Sequence, residues 1–174
     1  MEVCMDIWKE LLRQAYVEAT KSPDPSTQNG ALVVSRIGDN VVILGADHNR
    51  FPHGVISSDE RWNDRALKYK LVHHAERSTL GTARRAHNVP HFDGLTMVCP
   101  WAACTECAQE IIDEGIRTLI IHKQAHDRTP PESVWSADIV IAHMMLREAG
   151  VSIIEYDGIV GGPSILHSGK YWNP

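Results

Sequence analysis

Hydrophobic positions along the chain follow two periods, one typical of helices and one typical of strands. Between Asp6 and Thr20 they recur every three or four residues, which predicts an amphipathic helix. The next apolar runs, Gly30 to Ser35 and Asn40 to Ala46, are rich in β-forming residues and are joined by a turn with Gly, Asp and Asn. These two runs predict an antiparallel hairpin.

The second half of the chain alternates strand-type and helix-type segments. Helices are predicted from about Leu71 to Ala86, from Cys104 to Gly115 and from Ser136 to Glu148, and strands at Leu95–Cys99, Thr118–His122 and Val151–Ile154. Strands joined through helices in this way run parallel. A hairpin followed by such alternation predicts a three-layer α/β/α sandwich with a mixed five-stranded sheet.

In three segments the hydrophobic positions follow neither the helix period nor the strand period. Asp47 to Lys70 is predicted to be a long functional loop that forms one wall of a site, and Gln124 to Pro131 a polar loop. The tail from Asp157 is rich in glycine, and three alternatives stay open for it: it folds over the site, packs on a neighbouring subunit or is mobile. The sequence thus predicts one domain over residues 1–156 and a C-terminal tail over 157–174.

Composition narrows the class of partner. The chain has 174 residues, of which 43% are hydrophobic and 22% charged, as expected for one globular domain. Its formal net charge of -5 disfavours a nucleic-acid surface and favours a small-molecule substrate. No signal-type leader and no run of about eighteen apolar residues stands in the chain, so we expect a cytoplasmic protein without a membrane partner.

Two short motifs carry the candidate chemistry. They are His74-Ala75-Glu76, at a predicted helix, and Cys104-Thr105-Glu106-Cys107, at a junction of strand and helix. A catalytic zinc site takes three protein ligands and leaves one position for water, and His74, Cys104 and Cys107 supply that number. The order of elements places both motifs at the N-terminal ends of adjacent helices, where they can converge on one ion.

Glu76 lies two residues after His74, close enough to face the same ion without binding it. It is therefore predicted to be a general acid and base. The pattern H-x-E followed by C-x-x-C is the signature of zinc-dependent base deaminases. The spacing makes the signal specific, because a lone C-x-x-C is more typical of a structural zinc site or a redox pair.

The other cysteines are expected to be reduced thiols. Cys4 and Cys99 lie in apolar surroundings and need no disulfide. Cys99 is a rival metal ligand because it directly precedes Pro100, but the end of a strand is more typical of a core residue.

On these residues the chain resembles the cytidine deaminase-like superfamily, and within it most closely the deoxycytidylate (dCMP) deaminases. The resemblance runs from about Asp24 to Tyr156. It rests on the two motifs already described and on three further segments: Asp24-Pro25-Ser26-Thr27 leading into Gly30-Ala31, Asn49 with Phe51-Pro52-x-Gly54-Val55, and Gly115-Ile116.

The resemblance implies specific roles. His74, Cys104 and Cys107 hold Zn²⁺, Glu76 shuttles protons, and Asn49 contacts the sugar of a bound nucleotide. It also implies a homo-oligomer, often a hexamer, and regulation by deoxynucleoside triphosphates.

The chain departs from the family pattern at three places. Ala103 replaces the Pro before the first ligand cysteine, and Ser78-Thr79 replaces a segment with Asn-Ala. Asn29 stands where the family has an apolar residue that backs the base. Two interpretations of Asn29 stay open: its side chain reads a substituent that plain cytosine lacks, or it caps a turn.

A nucleotide also requires a phosphate contact. Arg50 is the strongest candidate in a cluster that also holds Arg61, Arg65 and Lys68, and the opposing interpretation is a solvated charged surface. With Phe51, the predicted substrate-binding set is Asn29, Asn49, Arg50 and Phe51. Trp62 either stacks on a base or anchors its loop.

The favoured function is hydrolysis of dCMP to dUMP and ammonia by a cytoplasmic, homo-oligomeric zinc enzyme. The first alternative keeps the chemistry on another amino-heterocycle, such as a modified dCMP, a nucleoside, or a purine or pterin base. The second is a non-catalytic zinc-stabilised binding protein, which the presence of Glu76 disfavours.

Overall fold

The computed structural model of the chain describes residues 2–37, 40–88 and 91–174. The helices are α1 Glu2–Ala19, α2 Asp59–Asn63, α3 Arg65–Leu71, α4 Ala75–His87, α5 Thr105–Asp113, α6 Lys123–His126 and α7 Val134–Glu148. The strands are β1 Gly30–Ile37, β2 Asn40–His48, β3 Thr96–Val98, β4 Thr118–His122, β5 Ser152–Tyr156, β6 Ile165–His167 and β7 Lys170–Trp172.

The main sheet has five strands in the order β2-β1-β3-β4-β5. Strand β1 is antiparallel to both β2 and β3, whereas β3, β4 and β5 run parallel. The predicted mixed sheet, the hairpin and the parallel strands are therefore confirmed. Gly38 and Asp39, in the predicted turn of the hairpin, lie outside the described residues.

Each face of the sheet carries its own core. Along β1, Leu32 and Val34 pack with α1, while Val33 between them packs with α4, α5 and α7. Strand β4 divides in the same way, because Ile120 joins the α1 core and Leu119 joins the opposite core. This alternation follows from the two-residue period of a strand. It confirms the three-layer α/β/α sandwich.

The start of β1 lies against α1 at a point where only glycine fits. A Cβ atom on Gly30 would approach the Ala19 nitrogen to 2.5 Å and come even closer to the Ala15 carbonyl oxygen. Because both neighbours are helix backbone, they have little room to move. Gly30 therefore fixes the position of the segment that precedes it, which contains Asn29.

The predicted helix from Leu71 to Ala86 begins too early, because the structure has two helices there. Helix α3 ends at Leu71 and α4 begins at Ala75, with an extended His74 as its N-cap. The break arises because His73 and Arg50 exchange backbone hydrogen bonds of 2.8 and 3.1 Å, which no helical residue at position 73 could make.

The predicted loop from Asp47 to Lys70 begins within the end of β2, contains α2 and overlaps all but the last residue of α3. Asp64 begins the second of these, because its side chain accepts a hydrogen bond of 3.0 Å from the Leu67 N–H. Likewise, the predicted loop from Gln124 to Pro131 overlaps the one-turn helix α6. These helices are four to seven residues long, too short for a hydrophobic period to reveal.

The tail forms a second, two-stranded sheet of β6 and β7, which the sequence did not predict. It packs on the chain's own N-terminal half: Gln28 N–H donates to the Leu166 carbonyl at 2.9 Å, and Gly169 N–H donates to Ser26 at 2.8 Å. Ile165 is buried in the same core as α1. The division of the chain at residue 156 stays a prediction. None of the helices in the described ranges is long and apolar enough to span a membrane.

We expect Gly30→Ala to lower the free energy of unfolding by about 1–3 kcal/mol, because the added methyl group overpacks the contact with α1. The measurement is urea unfolding followed by circular dichroism. Gly81→Ala is the matched control, since a Cβ there meets only the flexible end of Arg85 at 3.4 Å. That variant should be neutral or more stable, because alanine favours a helix over glycine. Equal destabilisation by both changes would contradict the packing argument.

Candidate active site

Three candidate metal ligands lie at the N-terminal ends of two neighbouring helices. His74 is the N-cap of α4, Cys104 is the N-cap of α5, and Cys107 lies in the first turn of α5. The predicted convergence of the two helix ends is therefore confirmed. Helix N-termini favour negatively charged groups, so this position suits thiolates.

The separations of the ligand atoms fit a small metal ion. His74 Nδ1 lies 3.3 Å from the Cys104 sulfur and 3.5 Å from the Cys107 sulfur, and all three atoms lie within 4.8 Å of one another. With ordinary zinc bond lengths, a tetrahedral ion holds its nitrogen and sulfur ligands about 3.6 Å apart. One imidazole nitrogen and two sulfurs are also a donor set that zinc prefers.

The protonation of the three groups suits metal binding. Hydrogen bonds with Cys107 and with His74 outweigh burial and together lower the pKa of Cys104 to about 4. The hydrogen bond with Cys104, together with burial, raises the pKa of Cys107. Burial disfavours a charge on His74, but Cys104 and Glu76 outweigh burial and raise its pKa. Cys104 is therefore favoured as a thiolate, and a bound cation would displace the protons carried by Cys107 and His74.

Glu76 is almost fully buried beside these ligands. One carboxylate oxygen, Oε2, has no hydrogen-bond partner among the described residues. Burial raises the pKa of Glu76 to about 7, so both its protonation states are accessible near neutral pH. Leaving such an oxygen unpaired costs about 1–3 kcal/mol or more. A group of this kind fits a role in proton transfer.

Two hydrogen bonds from outside the motifs hold the helices in place. The Asp138 carboxylate on α7 accepts from the N–H and the hydroxyl of Thr105, both at 2.8 Å, at the first turn of α5. On α4, the Thr79 hydroxyl donates to the Ala31 carbonyl of β1 at 3.1 Å. Sequence reasoning missed both, because no local spacing links residues 33 or 48 positions apart.

Asn29 lies beside Cys99, which is a neighbour of Glu76. Its side-chain N–H donates to the Cys99 sulfur at 3.2 Å, while its Oδ1 is buried and has no partner among the described residues. Burial and the nearby Glu76 carboxylate raise the pKa of Cys99 well above its usual value, so this cysteine is a thiol. Cys99 is outside the group of three ligand atoms.

Asn49 fastens the loops around the site. Its Oδ1 accepts from the Asn29 N–H at 2.8 Å, and its Nδ2 donates to Asp24 and to the Thr27 carbonyl at 3.2 and 2.9 Å. Asp24 in turn forms a buried ion pair of 2.8 Å with Lys68. Both N–H groups of Asn49 are thus engaged within the protein. A sugar contact by Asn49, which stays a prediction, would use the remaining lone pair of Oδ1.

Arg50 is held by a neighbouring carboxylate. Its guanidinium donates to Asp47 from Nη2 at 2.8 Å, and Nε contacts both carboxylate oxygens. Burial raises the pKa of Asp47, but hydrogen bonds from Arg50 and Thr82 outweigh burial and hold it at about 2. Arg50 also lines a cavity of about 230 Å³ on the outer side of α4, together with Arg77 and Arg85.

The remaining predicted positions each have partners within the chain. Lys68 is engaged by Asp24, while Arg61 donates to the Ile56 carbonyl and Arg65 contacts Tyr69, both at exposed positions. Phe51 stacks on Trp62 with the ring centroids 3.9 Å apart. This stack makes Trp62 a loop anchor and leaves one face of the Phe51 ring covered. A substrate contact by Phe51 stays a prediction.

Comparison with known proteins places the chain in a family. Residues 5–123 match the family model described as the cytidine and deoxycytidylate deaminase zinc-binding region. The chain belongs to the cytidine and deoxycytidylate deaminase family. It is therefore a hydrolytic deaminase, and the predicted superfamily is confirmed.

Individual relatives of this deaminase agree with that placement. It is 30% identical over 145 residues to an uncharacterized deaminase in the luxG 3' region of Aliivibrio fischeri, a match that covers 83% of this chain and 90% of the relative. It is 28% identical over 175 residues to deoxycytidylate deaminase from Mus musculus, which covers 90% of each chain.

Its fold is similar to that of the dCMP deaminase from the cyanophage S-TIM5, solved in complex with dCMP and dUMP. The TM-score is 0.64 at 18% identity, and the match covers 86% of this chain and 96% of that one. At this identity the likeness concerns the fold alone.

We expect purified deaminase to contain about one zinc per chain and both His74→Ala and Cys107→Ser to lose it, because a structure with two ligands binds the ion far more weakly. The measurement is metal content by mass spectrometry. Cys99→Ser is the matched control, since it changes a buried cysteine of the same region and should keep the zinc. Full zinc content in Cys107→Ser would show that the ion is held elsewhere.

Proposed function

We propose that this deaminase hydrolyses a pyrimidine deoxynucleotide with the help of zinc, and that its substrate class is dCMP, which it converts to dUMP and ammonia. One observation carries the proposal. The carboxylate of Glu76 is buried with an unpartnered oxygen beside a histidine and two cysteines spaced for a metal ion. A purely structural zinc site has no use for such an acid.

His74, Cys104 and Cys107 would hold the ion. When bound, zinc activates a water molecule as a nucleophile at neutral pH. Glu76 accepts the proton of that water and delivers it to ring N3 as the oxygen adds to C4. Glu76 then takes the proton of the hydroxyl group added at C4 and passes it to the amino group; the bond between C4 and the amino nitrogen breaks, the C4 oxygen becomes the carbonyl of the product, and ammonia leaves. Burial supports this shuttle, because it raises the pKa of Glu76 to about 7.

The nucleotide form of the substrate has two supports. Relatives that cover 90% of this chain are named deoxycytidylate deaminases, and the backbone of Arg50 pairs with that of His73, directly before the His74 N-cap. Arg50 is therefore our candidate for the phosphate contact, and Asn49 and Phe51 remain candidates for the sugar and the base. Assembly into a homo-oligomer, a cytoplasmic location and regulation by triphosphates stay predictions.

One observation favours an alternative substrate within the same chemistry. Asn29 offers a buried, unpartnered amide oxygen near Glu76. Cytosine has no group other than its reacting amino group that could donate to this oxygen. A modified form of dCMP is therefore the second candidate.

We expect Glu76→Gln to keep its zinc and to release ammonia from dCMP at least about 100-fold more slowly, because the amide cannot carry protons. The measurement is a coupled ammonia assay with zinc content determined on the same sample. Glu106→Gln is the control, since that side chain is largely exposed and binds Arg77. Turnover by Glu76→Gln comparable to that of the control would exclude Glu76 as the proton shuttle.

We expect Arg50→Gln to lower kcat/KM for dCMP by about tenfold or more while changing that for deoxycytidine little, because only the nucleotide has a phosphate for a charge-assisted hydrogen bond. Asp47→Asn is the control: it weakens the same ion pair but keeps the guanidinium. If both variants affect dCMP and deoxycytidine equally, Arg50 acts through the loop and the phosphate lies elsewhere.

A further inference from the structure

Asn29 is a buried polar side chain close to Glu76 whose arrangement the proposed mechanism leaves unexplained. It is only 8% exposed, and its Oδ1 has no partner among the described residues. Its backbone is already fully used: the N–H donates to Asn49 Oδ1 at 2.8 Å, and the carbonyl accepts from the Asn49 N–H at 3.1 Å. Fixing the loop therefore requires the backbone of residue 29 and not its amide side chain.

A hydrogen bond with Cys99 orients the side-chain amide of Asn29. The Asn29 Nδ2 donates to the Cys99 sulfur at 3.2 Å, and Cys99 packs with the small side chains Ala31 and Ala75. Ala75 directly precedes Glu76, so this small-residue surface adjoins the proton shuttle. Cys99 also interacts with Glu76 itself, so it links the Asn29 amide to the carboxylate that a reacting ring must face.

The chemistry of cytosine identifies what could satisfy this oxygen. Ring N3 and the carbonyl oxygen at C2 are hydrogen-bond acceptors, and an amide oxygen cannot donate to either. The amino group at C4 is the one donor of the base, but it leaves as ammonia and is served by Glu76. The remaining position next to the reacting carbon is C5, which in cytosine carries only hydrogen.

We propose that Asn29 is a specificity-determining residue, which selects dCMP derivatives that carry a hydroxyl-bearing substituent at C5 over unsubstituted dCMP. The inference rests on the proposed deaminase function and names its substrate more closely. The hydroxyl donates to Asn29 Oδ1 and completes the pairing of a buried acceptor. A hydroxyl can also accept, so recognition does not depend on which end of the amide faces the ring.

The test compares 5-hydroxymethyl-dCMP, 5-methyl-dCMP and dCMP with the zinc-loaded enzyme and with Asn29→Val. We expect the native enzyme to prefer the hydroxymethyl compound over dCMP by about tenfold or more in kcat/KM, and over the methyl compound as well, which controls for size. Asn29→Val should abolish this preference, because the apolar side chain cannot pair with the hydroxyl. Asn29→Ala replaces it if valine prevents folding.

Cys99→Ser is the matched control for the site. It keeps the Asn29 oxygen and an acceptor for Nδ2, so the preference for the hydroxymethyl compound should persist. The inference is overturned if Asn29→Val leaves the ratio of kcat/KM for 5-hydroxymethyl-dCMP to that for dCMP unchanged, or if the native enzyme prefers dCMP.

A binding measurement separates this inference from the proposed function. Calorimetric titration in the Glu76→Gln background gives the ratio of dissociation constants without turnover. If the native enzyme releases ammonia from dCMP but the Glu76→Gln variant binds dCMP and 5-hydroxymethyl-dCMP equally, the inference alone is overturned. If the hydroxymethyl compound binds preferentially but the native enzyme turns over neither nucleotide, the catalytic proposal alone is overturned. Failure to bind either nucleotide overturns both.

Discussion

The meeting of two helix N-termini at one point is the constraint on which the rest of the structure depends. His74 and Cys104 are extended N-cap residues, so their side chains leave the helix ends and approach each other to 3.3 Å. Neither helix could satisfy this condition alone. The parallel arrangement of β3, β4 and β5 and the glycine contact between β1 and α1 set the frame in which the two ends meet.

A second set of buried polar groups holds the loops next to the candidate site. Asn49 joins the segment at 24–29 to the loop that follows β2, and the ion pair between Asp24 and Lys68 joins that segment to α3. Such groups are costly to bury, and here their hydrogen bonds are nearly all made within the protein. Glu76 Oε2 and Asn29 Oδ1 are among the exceptions near the candidate metal ligands, as is Ser78 Oγ, and such atoms mark positions where a bound molecule could supply a partner.

The sequence predicted the architecture and the metal motifs because both depend on local spacing. The alternation along β1 and β4 defines two buried faces, and H-x-E with C-x-x-C defines a ligand set. The contacts of the predicted substrate-binding residues could not be predicted from the sequence, because they join residues that are distant in the chain. In the structure Asn49 and Arg50 hold neighbouring loops, and Phe51 stacks on Trp62. The short helices and the tail hairpin carry too few residues for a period to appear.

The hairpin of β6 and β7 adds a temporal order to the formation of the site. Its hydrogen bonds hold residues 26 and 28, which directly precede Asn29. Those partners follow the candidate ligands at 74, 104 and 107 in the chain and are therefore synthesised after them. On the ribosome, the candidate ligands can therefore come together first, and the segment before Asn29 acquires these contacts only after the hairpin has emerged.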